Sequence, residues 1–439
     1  MKLLFNKNIV TKTFSYKFVF KMFLLLLVFY ISGCVNENLT PVAGNVTVNL
    51  FDENLFPGSI FGSTVSIGQN PIVFIDGNGI ANLKTPSFPY SLTLRLSSQR
   101  TYIYDNISLN NIFCEPLKGF YRFQSNSVNL KVQFPIIPTG KEGIIKFIST
   151  DPFTDYFGGQ IIDSFNNSAY HTINFPINKN SISGKILFLL VTAENYGSMS
   201  IEKYGEKNVT LEANTNPLIT FTDDDINFNP GRGIVEYDIK SEEYWSDITM
   251  LYLSFEGYNI SSDIRLYESL HAHYGTLTVP LKLKSDFKLK LYNVYSLRPG
   301  YGDANQEKWA FCYPGETIFL DNTTQPLLIS PESNEKISDS TTFAFNSQLT
   351  SGISFVQFYY GNSENDWSIQ IYFTSKNKFT FGELKNYGLI FKPNIEYLWW
   401  VKQPYGFSSV DEFVSAPYSS NPNYNGIICS DVGYFRTPP

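Results

Sequence analysis

Histidine occurs three times in this 439-residue chain, cysteine four times and methionine four times, while charged residues make up 17%. With so few imidazoles and thiols, chemistry built on His or Cys clusters has little to draw on. The nucleotide and hydrolase signatures are missing as well: there is no G-x-x-x-x-G-K-[ST], H-E-x-x-H or G-x-S-x-G, and no G-x-G-x-x-G after a strand. Lys and Arg number 33 against 40 Asp and Glu, a net charge of −7. Five of those lysines (2, 7, 12, 17, 21) lie in the first 33 residues, which hold no acid, so the remainder carries 28 basic against 40 acidic residues, or −12. A net-acidic chain without a Lys/Arg cluster lacks the means to neutralise phosphates, which excludes nucleic acid as the expected partner. No apolar run reaches the roughly 18 residues of a membrane-spanning helix.

What the sequence has instead is aromatic residues, with Phe 38, Tyr 29 and Trp 5, and hydrophobic residues at 43%. Aromatics favour strands, and at roughly 100 to 200 residues per domain the length calls for two to four domains. Strict alternation supports strands throughout: Val46, Val48 and Leu50 face away from Asn45, Thr47 and Asn49, and Tyr90, Leu92, Leu94 and Leu96 repeat the pattern. Asp76-Gly77-Asn78-Gly79 between Ile72–Ile75 and Ile80–Leu83 predicts a hairpin, since Gly and Asn accept positive φ. In the middle of the chain, Tyr170-His171-Thr172-Ile173-Asn174-Phe175-Pro176-Ile177 recurs 104 residues later as Tyr274-Gly275-Thr276-Leu277-Thr278-Val279-Pro280-Leu281, with the same order of alternating segments around it. Two tandem copies of one β-sandwich of about 100 residues follow. Short helical turns are expected at 263–270 and 382–387.

Lys2 to Lys21 forms a cationic leader and Met22 to Ile31 an apolar core of about ten residues, the pattern of a secretion signal. Its end, Ile31-Ser32-Gly33-Cys34, resembles the lipobox of bacterial lipoproteins. That resemblance implies cleavage before Cys34, lipidation of its thiol and attachment to a membrane; Val35, in place of an Asp, points to the outer membrane. Residues 42–113 resemble a carboxypeptidase regulatory-like domain, a transthyretin-like sandwich without peptidase chemistry, through Gly44-Asn45-Val46, Pro57-Gly58, Ser63 to Ile67, Asp76 to Gly79 and Tyr90-Ser91-Leu92; Ile75 stands where that family has Thr. Residues 325–437 resemble a fibronectin type III domain, chiefly in Phe391-x-Pro393-x-x-x-Tyr397, the pattern of a tyrosine corner.

The expected organisation is thus all-β, tandem immunoglobulin-like sandwiches behind a lipoprotein signal peptide: a signal at 1–33, a tether at 34–41, and units at 42–113, 120–222, 223–323 and 325–437, linked end to end as a stalk. Candidate sites are few. His271 and His273 would share one face of a strand and make half a metal site. Asp223-Asp224-Asp225 clusters oxygens that could hold calcium, or simply forms a solvated acidic linker. Cys114, Cys312 and Cys429 read as buried small residues, with at most one disulfide. Trp399 and Trp400 must point to opposite faces of a strand; with Tyr397 inward, Trp400 and Leu398 face outward, where Tyr359, Tyr360 and Trp367 would join them in an aromatic surface for a protein or glycan partner. No catalytic residue is expected. The leading functional reading is a lipid-anchored, non-enzymatic envelope protein that presents interaction modules, and the alternative is a glycan-binding outer-membrane lipoprotein.

Overall fold

The computed structural model describes residues 44–439 except 53–56, 59–61, 69, 86, 98, 116–124, 152–159, 194–197, 241–245, 259–262, 297–305, 322–324, 348–351, 364–365 and 418–420. Cys34 and the leader lie outside the described residues. The chain is all-β, with only two short described helices, and its strands fall into four sets.

The first set is β1 (Gly44–Leu50), β2 (Thr64–Ile67), β3 (Val73–Phe74), β4 (Ile80–Thr85), β5 (Tyr90–Ser97), β6 (Arg100–Ile107) and β7 (Asn111–Cys114). The second is β8 (Ser125–Gln133), β9 (Glu142–Ile148), β10 (Gln160–Ile162), β11 (Ser168–Pro176), β12 (Ser181–Ala193), β13 (Met199–Glu212) and β14 (Leu218–Thr220). The third is β15 (Arg232–Lys240), β16 (Ser246–Phe255), β17 (Ile264–Leu270), β18 (Tyr274–Pro280), β19 (Phe287–Ser296), β20 (Gln306–Cys312) and β21 (Thr317–Asp321). Each set builds the same sandwich. A three-stranded sheet has the set's first strand at its centre, antiparallel to the fourth and parallel to the seventh (β4-β1-β7, β11-β8-β14, β18-β15-β21). The partner sheet runs third-second-fifth-sixth each time. The pattern read from the sequence as two copies therefore has a third in the N-terminal unit.

The fourth set is β22 (Leu327–Ser330), β23 (Glu335–Lys336), β24 (Thr342–Asn346), β25 (Ser354–Ser363), β26 (Asp366–Thr374), β27 (Lys378–Thr380), β28 (Glu396–Pro404), β29 (Gly426–Cys429) and β30 (Gly433–Arg436), with helices α1 (Phe381–Asn386) and α2 (Val410–Val414). Thr380 caps α1 by accepting from Glu383 N while the Glu383 carboxylate accepts from Thr380 N. The Tyr397 hydroxyl accepts from the Lys392 backbone N–H at 3.0 Å, closing the corner that the Phe391–Tyr397 spacing predicted. Phe343, Phe345, Phe358, Tyr397, Trp399 and Phe435 fill the core beneath it.

The units do not form a stalk of separate beads. β26 pairs in parallel with β6, joining the last unit to the first, and β20 pairs with β29, joining the third to the last. Fourteen strands from three units thus make one hydrogen-bonded sheet. Cores cross these seams: Ile103 of β6 packs with the fourth unit's core, while Phe355, Ile371, Phe373 and Phe413 pack with the first unit's. The Tyr372 hydroxyl donates to the buried Asp105 carboxylate at 2.8 Å. The second unit attaches face to face. Along β12, Ile186, Phe188 and Leu190 enter its own core, and Leu187, Leu189 and Val191 enter a core shared with the third unit. That explains the unbroken apolar run Ile186–Val191, since a strand buried on both faces has no reason to alternate.

Two local expectations are corrected. The Asp76–Gly79 turn forms, with Asp76 Oδ1 accepting from Asn78 N and Ile80 N at 2.9 and 2.8 Å, but it is not a hairpin: β3 belongs to one sheet and β4 to the other. Gly79 has φ +78° and a Cβ there would lie 2.5 Å from Leu50 O, so the position admits only glycine. Residues 264–270 form strand β17 rather than a helical turn, because they extend a sheet edge beside β16. Cys114, Cys312 and Cys429 are buried, as expected, and form no disulfide among the described residues; burial pushes the thiols of Cys114 and Cys312 up to about 12.

Candidate functional site

The fourth unit's two sheet faces divide the predicted aromatic surface. β25 registers Tyr359 opposite Leu398 and Gln357 opposite Trp400, and on the other side Tyr359 lies opposite Ile369 of β26. Period-two geometry then puts Tyr359, Trp367, Leu398 and Trp400 on one face, all half-buried. Trp399 is fully buried on the other, as expected from its parity with Tyr397. Tyr360 is a correction. It shares Trp399's face, its ring lies 5.6 Å from Tyr397, its hydroxyl donates to Asp366 at 2.6 Å, and it belongs to the core. The Arg100 guanidinium of the first unit lies 4.9 Å from the Trp367 ring, so that tryptophan is part of the seam between units.

His271 and His273 do not lie along a strand. They occupy the turn between β17 and β18, where His271 takes φ +55° and donates its backbone N–H to Asp247 O at 2.9 Å. His273 Nδ1 stands 3.0 Å from Asp247 Oδ2. Asp247 is buried, and its other oxygen accepts from Asn293. Burial raises the Asp247 carboxyl above its ordinary range, against the opposing pull of Asn293 and both imidazoles. The arrangement is a buried carboxylate orienting one half-exposed imidazole. Thr249 completes the corner, receiving from Asn293 at 3.2 Å and donating to Ala272 O at 2.8 Å, which holds the turn against β16.

The acidic triplet is split by function. Asp225 Oδ2 accepts from Thr222 N and Oγ1 at 2.7 and 2.9 Å and lies 2.8 Å from Lys207 Nζ, so its carboxyl falls to about 2. Asp223 and Asp224 are solvent-exposed. Among the described residues no group of three or more His, Cys, Asp or Glu side chains converges as metal ligands.

Sequence reading passed over another recurring feature. On the outer face of each three-stranded sheet, one row across the strands reads apolar, polar, apolar: Ile80–Asn49–Phe113, Tyr170–Lys131–Leu218 and Tyr274–Asp238–Phe319. In the first, Asn49 donates to Asn111 Oδ1 at 2.8 Å and to Ile112 O at 3.0 Å. In the second, Lys131 Nζ lies 5.1 Å from the Tyr170 ring. In the third, the side chains of Asp238, Tyr274 and Phe319 have no hydrogen bond, ion pair or ring contact among the described residues, and the two rings are 83% and 65% exposed. The matched tyrosines 170 and 274 were the available signal; the third strand of each row was not, because nothing in the sequence says which segment pairs with which.

No protein-family profile matches the chain, and no curated protein matches it. Solved structures similar to it include the TIE protein of Bacillus anthracis, at 10% identity over 64% of this chain and 50% of that one, TM-score 0.15. The chain thus spans half the length of that protein. A putative adhesin from Bacteroides ovatus is similar at 10% identity over 39% of this chain and 72% of that one, TM-score 0.15. The shaft pilin SpaA of Lactobacillus rhamnosus GG is similar at 11% identity over 47% of this chain and all of that one, TM-score 0.15. No described helix is long and apolar enough to cross a membrane.

Proposed function

We propose that the protein is a lipid-anchored, non-enzymatic component of a bacterial cell envelope, held at the outer membrane through Cys34, that presents its outer sheet faces to a partner. The observation that carries this reading is the welded frame. Backbone hydrogen bonds tie three units into one sheet, and a shared core fixes the remaining unit against them. Such a body holds flat faces at fixed positions and spends its buried polar groups on seams, as Asp105 and Tyr372 do. The cationic leader and Ile31-Ser32-Gly33-Cys34 supply the anchor; three acyl chains would make attachment effectively permanent, since one gives only marginal binding. The test is intact mass of the mature chain together with membrane fractionation. A diacylglyceryl-modified N-terminal Cys34, and release of Cys34→Ala to the soluble fraction, are expected; an unmodified start on a membrane-bound chain overturns the anchor.

A second reading, glycan capture, is favoured by the half-exposed face of Tyr359, Leu398 and Trp400, whose rings could stack on sugars. Trp400→Ala that leaves binding to a glycan array unchanged ends it.

A further inference from the structure

We infer that the outer face of the β18-β15-β21 sheet is a recognition site for a Lys or Arg side chain of a partner protein, with Tyr274 and Phe319 as the flanking rings and Asp238 as the counter-charge. The inference rests on the display reading and gives it a surface and a partner chemistry. Adjacent strands stand about 4.8 Å apart, so the two exposed rings flank the Asp238 carboxylate at one strand spacing each. An ammonium or guanidinium seated on that carboxylate lies within the roughly 6 Å over which an aromatic face attracts a cation.

The second unit shows what belongs there. At the position of Asp238 it carries Lys131, whose Nζ lies over Tyr170, the counterpart of Tyr274. That row supplies its own cation. The third unit keeps the tyrosine, replaces the central lysine by aspartate and puts Phe319 where Leu218 stands. The charge at the centre is reversed, a second aromatic ring is added, and the cation is left to come from outside. Nearby charge agrees. Glu236 is exposed on the same face two residues from Asp238, and Lys240 is taken up by Asp321 at 3.3 Å. A partner of opposite charge is therefore steered to this face.

The test titrates the purified full chain with octa-arginine at physiological salt, with octa-glutamate as control. Saturable binding of octa-arginine is expected, weakened at least tenfold in Asp238→Lys, which recreates the second unit's self-supplied row, and in Tyr274→Ala/Phe319→Ala. The same charge change at Asp223→Lys, on an exposed turn elsewhere, leaves binding within twofold. Thermal unfolding confirms that the surface variants fold. Equal weakening by Asp223→Lys reduces the effect to net charge and overturns the proposal. So does a neutral oligosaccharide whose binding needs Tyr274 and survives Asp238→Lys, or self-association of the chain that Asp238→Lys abolishes. None of these readouts involves Cys34, so failure of the lipid anchor and failure of this site are told apart.

Discussion

The second and third units have the same strand order and the same row of three residues on their outer sheets, yet they use their surfaces in opposite ways. The second unit buries both faces of its larger sheet along Ile186–Val191 of β12. One face of β12 closes its own core, the other closes a core with the third unit, and its outer row seats the Lys131 ammonium over the Tyr170 ring. The third unit passes its larger sheet on at the edge, through β20 and β29, and leaves its outer row open around Asp238. A duplicated sandwich can therefore diverge without changing topology, by altering which faces and edges are consumed within the molecule.

The comparison breaks first at the shared core. Phe188 and Leu189 are neighbours pointing to opposite faces, and truncating Phe188 to Ala should cost about 3 to 5 kcal/mol. Leu189→Ala should cost a comparable 2 to 5 kcal/mol or so in urea unfolding, because the seam is packed as a core. A cost below about 1 kcal/mol for Leu189→Ala would mean that the two units fold separately.

Next in size is the buried cation at that seam. Lys146 is fully buried in the second unit with Asp263 of the third nearby, and burial lowers its ammonium to about 8. Because the folded value lies below the unfolded one, the unfolded chain binds more protons between the two, so stability should rise as pH climbs from about 8 towards 10.5. Lys146→Met should flatten this rise without destabilising the protein at neutral pH, since replacing a buried ion by an apolar residue of similar volume is often neutral or stabilising. Urea midpoints across that pH range are the measurement, and an unchanged slope in Lys146→Met refutes the assignment.

A smaller pH effect of the same sign, in a lower range, separates the two copies at one matched position. His171 is buried and its imidazole is held down to about 4, whereas the third unit has Gly275 there, with the Tyr237 ring in the space a side chain would take. Since the unfolded imidazole protonates first, stability contributed at His171 should fall as pH drops from about 6.5 to 4. Histidine NMR should show His171 titrating near 4, well below the ordinary imidazole range, and His171→Gln should reduce the loss of stability over that interval.

The smallest effect is at the outer rows. Lys131→Ala should cost no more than roughly 1 kcal/mol, the worth of an exposed cation over a ring. Asp238→Lys should stabilise the third unit by a similar or lesser amount, read as a small upward shift in Tm.

Much of this architecture was legible in the residues. Alternation at Val46, Val48 and Leu50 marks which side of β1 is buried, the 104-residue recurrence from Tyr170 to Tyr274 marks a duplication, and Phe391 to Tyr397 marks a corner that the Lys392 N–H closes. At the candidate surface, parity placed Trp399 inside and Trp400 half-exposed, whereas Tyr360, adjacent to the half-exposed Tyr359, could not be sided until the register of β25 was known. The N-terminal copy stayed hidden because its connections differ and no matched tyrosine marks it. His271 and His273 read as strand neighbours because the positive φ at His271 has no signature in an imidazole.

The sequence by itself determined the all-β class, the sidedness of its alternating strands and the local turns, because side-chain period and turn chemistry act over a few residues. Tertiary structure alone decided that β26 finds β6, that β20 finds β29 and that Ile186–Val191 is covered on both faces. Edge pairing is made by backbone groups common to every residue, so its partners are chosen by how whole units pack.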